Sequence, residues 1–574
     1  MSDSAHTVMA GPLAGLDPQQ RAAVTTLRGP LVVHAGAGTG KTRVITHRIA
    51  HGVDTGAYSP ARVLAVTFTS KAAGQMRARL RALGVTGVSA RTFHAAALAQ
   101  LNYFWPTVAG DSAPALVDNK ARVLAHAADQ VGVGLDKNTL RDVAAEIEWR
   151  KRAMIPIDQY PKHRPAGVGR WDAHTVADVQ AAYEKVKDDR RQMDFEDVLL
   201  ACAGMIEAES RVAATIHEQY RHFTVDEFQD VSALQFRLLQ AWLGERTDVC
   251  VVGDAHQTVF SFAGADPRYL REFDTRFPGA QTVRLETNYR SQQGILDVAN
   301  ELMRDRGTGL TLRAQNTELG PMPRQRSFPD DTAEAQSIAQ DIARRISDGV
   351  DPHTIAVLYR SHAQSAEIAR ALTDCNIATT VLGGTRFFDM IEVRQALMAL
   401  RAAAVAPVET GFVDTVRDVL RSLGLGDEPP QAGGVLREAW EARMALLRLA
   451  RNAPAATTVR EFADDLLARA KSGDEPTMAT VTLATLHSAK GLEWDHVYLL
   501  GLAEGLLPVS YATTCEQIDE ERRMAYVGIT RAARTLQISW AGGPRGRQPS
   551  RFLQEIGTRT LRAGDAPARS AATS

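Results

Sequence analysis

Residues Leu31 to Arg43 read LVVHAGAGTGKTR, and this stretch decides the fold. A short apolar run, Leu31 to Val33, leads into Ala35-Gly36-Ala37-Gly38-Thr39-Gly40, and Lys41-Thr42-Arg43 then opens a segment whose apolar residues (Val44, Ile45, Ile49) recur at helical spacing. Strand, glycine-rich turn and helix start in that order form a phosphate cradle. Glycines let backbone N–H groups converge on phosphate oxygens, a lysine reaches the β- and γ-phosphates, and the next hydroxyl can ligate Mg²⁺. The strict pattern has glycine at the first position, where this chain has Ala35. The motif predicts a nucleoside triphosphate site with Lys41 and Thr42 as its working side chains. It leaves open what the energy is used for.

Working outward, further apolar runs fit buried parallel strands at Val63 to Val66, Phe223 to Val225, Val249 to Val252 and Thr282 to Leu285. A second set follows at Ile355 to Tyr359, Val481 to Leu486, Val497 to Leu500 and Leu536 to Trp540. Helical patterns separate these runs and also fill two long gaps. The expected architecture is therefore α/β, with two parallel-sheet domains each carrying a mainly helical insertion. The boundaries expected are 1–95 with 196–285 for the first sheet domain and 96–195 for its insertion. The second sheet domain takes 286–387 with 479–557, its short insertion 388–478, and a disordered basic tail 558–574. Residues 1–15 read as a disordered lead, and a helix is expected from Pro18 with Asp17 as its cap. Arg150-Lys151-Arg152 read as a solvated face of the first insertion.

The chain has 574 residues, a soft prior of about four domains. Its net charge of −1 does not advertise nucleic-acid binding, so any DNA surface must be a local patch. No apolar run approaches the roughly 20 residues of a membrane span, and no signal peptide is evident. Cys202, Cys250, Cys375 and Cys515 lie far apart, which argues against a zinc site or a disulfide framework and suits the cytoplasm.

Two carboxylates, Asp226 and Glu227, follow the apolar run Phe223 to Val225. At a strand's C-terminal end the first can hold a Mg²⁺ shell and the second can deprotonate water; the alternative is an acidic helix start. Gln257, after another strand-like run, is long enough to contact a γ-phosphate, although a strand-end Gln is ordinarily a loop residue. Arg290 and Arg531 stand in contexts where a planar guanidinium could meet transition-state charge, or simply a surface carboxylate.

The ordered set of blocks resembles the UvrD/Rep/PcrA family of superfamily 1A DNA helicases. The blocks include LDPQQRAAV, AGAGTGKTRVITHRI, VTFTSKAAGQMRARL, TFHAAAL, VDEFQDVSALQ, VVGDAHQTVFSFAGA, LETNYRS, TLHSAKGLEWDHVYLLGL and EERRMAYVGITRA, and they cover the chain to about residue 556. Within the family the text most resembles an actinobacterial UvrD-like branch, without that branch's cysteine-rich linker and C-terminal HRDC domain. The resemblance implies two RecA-like motor domains (1A and 2A) with insertions 1B and 2B, Mg²⁺ and ATP as cofactors, and 3′→5′ movement along single-stranded DNA. It implies that Gln20 meets the adenine edge beside Arg43, that Tyr289 stacks on the base and that Glu493 holds the ribose. Lys41, Thr42, Asp226 and Glu227 would run hydrolysis, with Gln257, Arg290 and Arg531 acting on the γ-phosphate from a cleft between the motor domains. Phe68 and Phe262 would stack on bases, while Thr92, Phe93, His94, Arg360 and His487 would contact the DNA backbone.

Three departures bear on DNA grip. The family's Trp-Arg-Gly-Ala reads Phe262-Ala263-Gly264-Ala265, His362 replaces a common asparagine, and the second insertion is short. The reading is an ATP-dependent DNA helicase acting in repair on single-stranded and tailed duplex DNA, as a monomer or a DNA-dependent dimer, with a possible repair-protein partner and nucleoid association. The alternative is a translocase that strips proteins from single strands and unwinds weakly. A GTPase switch fits poorly, because Asn119-Lys120-Ala121-Arg122 lacks the aspartate of a guanine-reading loop.

Overall fold

The structure, a computed structural model, describes residues 11–306, 310–316, 320–383, 387–404, 411–428, 430, 435–454, 456–472, 478–543 and 546–562. The chain divides into two compact units, Met1–Glu286 and Thr287–Ser574.

The first unit is built on a six-stranded sheet. In chain order its strands are β1 (Leu31–Ala35), β2 (Val63–Thr67), β3 (Ser89–Thr92), β4 (His222–Val225), β5 (Val249–Gly253) and β6 (Gln281–Leu285). They lie in the order β3-β2-β4-β5-β1-β6, and every pairing is parallel. The central strands are mostly apolar because helices cover both faces, leaving no wet side to pattern. Register matters more than strand count here. Val33 lies opposite Val252, and Val225 lies opposite Val251. The loops after β1, β4 and β5 therefore leave the sheet side by side, at the carboxyl edge where parallel sheets present ligands.

Asp17 caps the helix Pro18–Thr25 as expected, accepting the Gln20 N–H at 2.7 Å. The disordered lead is corrected from residue 11 onward, since Leu13 packs on the core beneath β1 and the Pro12 carbonyl meets His47 Nδ1 at 2.6 Å. Residues 1–10 lie outside the described residues.

The insertion packs its own apolar core from helices Lys120–Gln130, Lys137–Arg152 and Ala173–Asp189. Here the reading of Arg150-Lys151-Arg152 as a solvated face is wrong, since Arg152 is half-buried and the other two are buried. Arg150 and Lys151 are buried, with Arg150 bonding Gln180 and Glu184. Lys151 Nζ reaches Asp194 at 2.9 Å, Asp197 at 2.6 Å and Glu184 at 2.9 Å, and buried Lys187 pairs with the same three carboxylates. Burial opposes the Lys151 charge, yet the carboxylates outweigh it and hold its proton above the ordinary lysine range. Asp194 caps the helix Phe195–Ala208, whose Val198, Leu199 and Cys202 belong to the core under the sheet. The network thus fastens insertion to sheet domain.

The second unit carries a seven-stranded, wholly parallel sheet of β7 (Arg324–Phe328), β8 (Ile355–Tyr359), β9 (Thr379–Val381), β10 (Val481–Thr485), β11 (Trp494–Leu499), β12 (Ala532–Ala541) and β13 (Leu561–Arg562). The order is β9-β10-β8-β11-β12-β7-β13. The last strand pairs past residue 557, where a disordered tail was expected to start; residues 563–574 lie outside the described residues. Helices Ile391–Ala403, Phe412–Ser422, Val435–Arg451 and Val459–Ser472 form the second insertion around Val393, Leu400, Leu420, Leu446 and Phe462. The sequence of this insertion is interrupted by a Gly/Pro-rich stretch at Gly424 to Gly434, of which residues 429 and 431–434 lie outside the described residues. Among the described residues no helix is long and apolar enough to cross a membrane.

Candidate nucleotide and strand-binding sites

In the first unit, the turn after β1 reaches the helix Lys41–Asp54 through Gly40, whose φ of 86° is left-handed and favours glycine. A Cβ there would also come within 2.9 Å of Gln20 Nε2. The first-turn N–H groups of this 14-residue helix have no intrahelical acceptors, which suits a polyphosphate. Gln20 is buried against the loop, with Nε2 donating to the Thr39 carbonyl at 3.0 Å and Oε1 left without a hydrogen-bond partner. A buried lone acceptor of this kind matches an exocyclic amine such as that of adenine. Arg43 Nη2 donates to the Gly15 carbonyl at 3.0 Å, on the same side of the helix start. Thr39 closes the turn by bonding its hydroxyl to the Gly36 carbonyl at 2.8 Å.

The carboxylates after β4 face this cradle. Lys41 Nζ lies 4.0 Å from Glu227 Oε1. Glu227 itself has φ of 52°, a strained choice for a side chain with a Cβ, of the kind that persists where surrounding bonds over-determine it. One of the bonds that hold Glu227 comes from Gln229, a residue not singled out in the sequence: its Nε2 donates to Glu227 Oε2, and its Oε1 accepts the Asp254 N–H at 3.0 Å. Asp254 in turn accepts from Gln257 Nε2 at 2.8 Å. Gln257 is thus joined to Glu227 through two side chains, each end on a neighbouring strand's loop. Asp226 is buried, and its carboxyl is pushed up, first by burial and then by Glu227, with Lys41 opposing. Asp226 and the Thr42 hydroxyl are hard-oxygen donors of the type Mg²⁺ prefers, and a dication would relieve the cost of the buried Asp226 charge.

In the second unit, Arg290, Glu493 and Arg531 gather at the amino edge of β11 and β12. Arg290 Nε donates to Glu493, and Nη1 to the Thr530 carbonyl at 3.2 Å. Ser291 Oγ and the Gln292 N–H then anchor this segment to the Ala532 and Ala533 carbonyls. Arg531 follows the cap of the helix Cys515–Ile529 and is 2% exposed, so it does not point to open solvent. Its guanidinium donates to the Val527 carbonyl at 3.0 Å, the Leu492 carbonyl at 3.1 Å and the Thr530 hydroxyl at 3.1 Å. Tyr289 stands beside them, partly exposed.

Family models match both halves of the chain. Residues 16–278 match the UvrD/REP helicase N-terminal domain, and residues 283–406 and 444–543 match the UvrD-like helicase C-terminal domain. The chain belongs to the UvrD-like helicase family. It is 46% identical to the ATP-dependent DNA helicase UvrD2 of Mycobacterium tuberculosis, over 96% of this chain and 82% of that protein. It is 28% identical to the ATP-dependent DNA helicase PcrA of Leuconostoc citreum, over 95% of this chain and 85% of that protein. The two parallel sheets are accordingly the RecA-like domains of a UvrD-like helicase.

Of the residues expected to touch a strand in this family member, those of the first unit sit on the carboxyl edge of its sheet. Phe262 is 60% exposed, with an edge contact to Phe260 at 6.1 Å between centroids. Phe68 is half-buried and meets Phe93 edge-on at 6.1 Å. Phe93 itself is corrected: it is 1% exposed, stacks on Trp242 and belongs to the core, so its ring offers no surface to a ligand here. The reason is local, since Thr92 caps the following helix and turns Phe93 inward. His94 is pushed down to about 4, first by burial and then by Arg152, and it packs edge-on against Phe195. Phe195 is 59% exposed and went unnoticed in the sequence, where an aromatic at a helix start looks like core.

Arg360 and His487 lie past β8 and β10, on the carboxyl edge of the second sheet. Arg360, expected to contact the DNA backbone, is paired within the protein. Its guanidinium donates to both oxygens of buried Glu521, at 2.8 to 3.1 Å. His487 is pushed down to about 4 by burial, then by Arg360 and Lys490, and is neutral near pH 7. The second sheet thus presents its nucleotide candidates at one edge and its strand candidates at the other.

Proposed function

We propose that this UvrD-like protein is an ATP-dependent DNA helicase that translocates 3′→5′ on single-stranded DNA and acts in DNA repair. The relatives named UvrD2 and PcrA are ATP-dependent DNA helicases, and the chain keeps the chemistry such an enzyme needs. The observation that carries the reading is the Lys41–Glu227–Gln229–Asp254–Gln257 chain, which links a phosphate cradle to a candidate general base and a candidate γ-phosphate sensor. In this reading Gln20 reads adenine through its unpartnered oxygen, with Arg43 beside it. Lys41 and the turn from Ala35 to Gly40 hold phosphate oxygens, and Glu227 deprotonates the attacking water. Thr42 and Asp226 would hold Mg²⁺, which supplies charge neutralisation on the phosphates. Tyr289 stacks on the base, Glu493 takes the ribose, and Arg290 and Arg531 counter charge on the transferring phosphoryl group. Exposed Phe262 and half-buried Phe68 stack on bases without regard to sequence.

The test is steady-state ATPase with and without single-stranded DNA, beside Lys41→Ala, followed by unwinding of duplexes carrying a 3′ or a 5′ tail. DNA-stimulated hydrolysis lost in Lys41→Ala, with unwinding from 3′ tails, is expected. Unwinding only from 5′ tails overturns the polarity, and hydrolysis indifferent to Lys41 overturns the site. Ala263, in place of the family's arginine, favours one alternative: a translocase that displaces proteins from single strands and unwinds weakly. Efficient unwinding of long duplexes by the lone chain would exclude it.

A further inference from the structure

Phe262 stands on a short loop closed by turn bonds from the Ala263 and Gly264 N–H groups to the Phe260 and Ser261 carbonyls, and the insertion adds a contact from outside the loop. The helix Lys137–Arg152 of the insertion ends at that loop. Arg152 Nη1 donates to the Ala263 carbonyl at 3.3 Å, immediately after Phe262. The same guanidinium donates through Nε and Nη2 to Glu196 Oε1 at 3.1 and 2.9 Å, and through Nη2 to Glu148 Oε2 at 3.4 Å. Glu196 is almost wholly buried and Lys120 Nζ lies 3.6 Å from its other oxygen, so the anchor is rigid. Gly264 lets the loop press against the arginine stem: its φ is 90°, and a Cβ there would come within 2.9 Å of Arg152 Cβ. Two cations and two carboxylates balance, which leaves the guanidinium little net charge to offer a phosphate.

We propose that Arg152 is a positioning residue for strand binding: it holds the Phe262 loop in its stacking position before DNA arrives, and so ties the strand platform to the helical insertion. Holding the ring in place beforehand removes an ordering cost from the binding step. The proposal rests on the reading of Phe262 as a base-stacking platform, and the experiment separates the two.

Binding of a fluorescent oligothymidine to the full chain is measured by anisotropy across salt concentrations for Phe262→Ala, Arg152→Ala, Arg152→Lys and the double variant Arg152→Ala/Phe262→Ala. Folding is checked by circular dichroism. Phe262→Ala should weaken binding roughly 5- to 150-fold, the range for one lost base–aromatic stack. Arg152→Ala should lose about 3- to 10-fold, part of that effect. The double variant should bind no worse than Phe262→Ala alone, and the slope of affinity against salt should stay that of the parent. Arg152→Lys keeps the charge but cannot bridge Glu196 and the Ala263 carbonyl together, so it should behave like Arg152→Ala and stands in for it if alanine fails to fold. Parental binding by both Arg152 variants overturns the proposal. Losses that multiply in the double variant, or a salt slope reduced by about one, also overturn it, because Arg152 would then act directly on the strand or on a phosphate. Parental binding by Phe262→Ala instead removes the platform reading, and this proposal falls with it.

Discussion

Replacing Gln229 by leucine removes a side chain that ties the candidate base to the loop after β5. Leucine has a similar volume and enters a fully buried site, so the shape is nearly kept while both hydrogen bonds go. The Asp254 N–H, now buried without the Gln229 oxygen, costs about 1–3 kcal/mol of stability. The larger effect falls on Glu227, which loses the amide that holds its carboxylate and helps sustain its left-handed backbone. A hydrogen bond to a charged group is worth about 1.5–3 kcal/mol. If all of that aims the carboxylate in the transition state, kcat falls roughly 10- to 150-fold, at tenfold per 1.36 kcal/mol. The KM for ATP should change little, because Gln229 does not line the glycine-rich turn. Coupled-enzyme ATPase at saturating single-stranded DNA, with Lys41→Ala as the inactive reference, reads both constants. A parental kcat, or a loss confined to KM, would show that the Gln229 bond does not serve hydrolysis.

Three further outcomes are expected. Gln20→Ala should raise the KM for ATP about tenfold and erase the preference for ATP over GTP, since the buried Oε1 is the candidate reader of the adenine amine; retained selectivity would count against it. Gly52→Ala should destabilise the first unit by about 1–3 kcal/mol in urea denaturation, because the new Cβ falls 2.2 Å from Tyr58 Cδ2 in a ring already stacked on His222 and bonded to the Leu27 carbonyl. A variant as stable as the parent would mean the ring moves freely aside. His94, His222 and His487 are each pushed down to about 4, chiefly by burial, so they fold as neutral imidazoles. The unfolded chain, with ordinary values near 6.5, binds more protons than the folded one between about pH 4 and 6.5. Stability should be fully present above that window and fall as the solution is acidified through it; urea midpoints that stay flat from pH 7 to 4.5 would refute this.

The central strands were legible because a parallel strand buried on both faces has to be apolar throughout, as Val63 to Val66 and Ile355 to Tyr359 are. Two strands at or next to a sheet edge escaped notice for the converse reason. Arg324–Phe328 reads RQRSF and Ser89–Thr92 reads SART, text that a loop would also carry. The residues of the nucleotide loop were legible as types at fixed spacing, but Gln229 was not. Its role depends on Asp254, a residue brought near only when β4 and β5 pair. Arg150 and Lys151 misled for the same cause. A run of cations looks solvated until the carboxylates of Glu184, Asp194 and Asp197, 33 to 46 residues further on, close over it. Phe93 and Arg360 show the limit of motif matching, since a position can match its pattern while its side chain is already committed to a neighbour.

The carboxylates around Lys151 and Lys187 carry one more consequence. Prising the insertion away from the sheet domain would strand several bare ions in a space too dry to solvate them, with no half-open arrangement to stop at. The joint is built to hold as a rivet does. The insertion and its lobe should therefore move together during a working cycle and melt in a single step on heating.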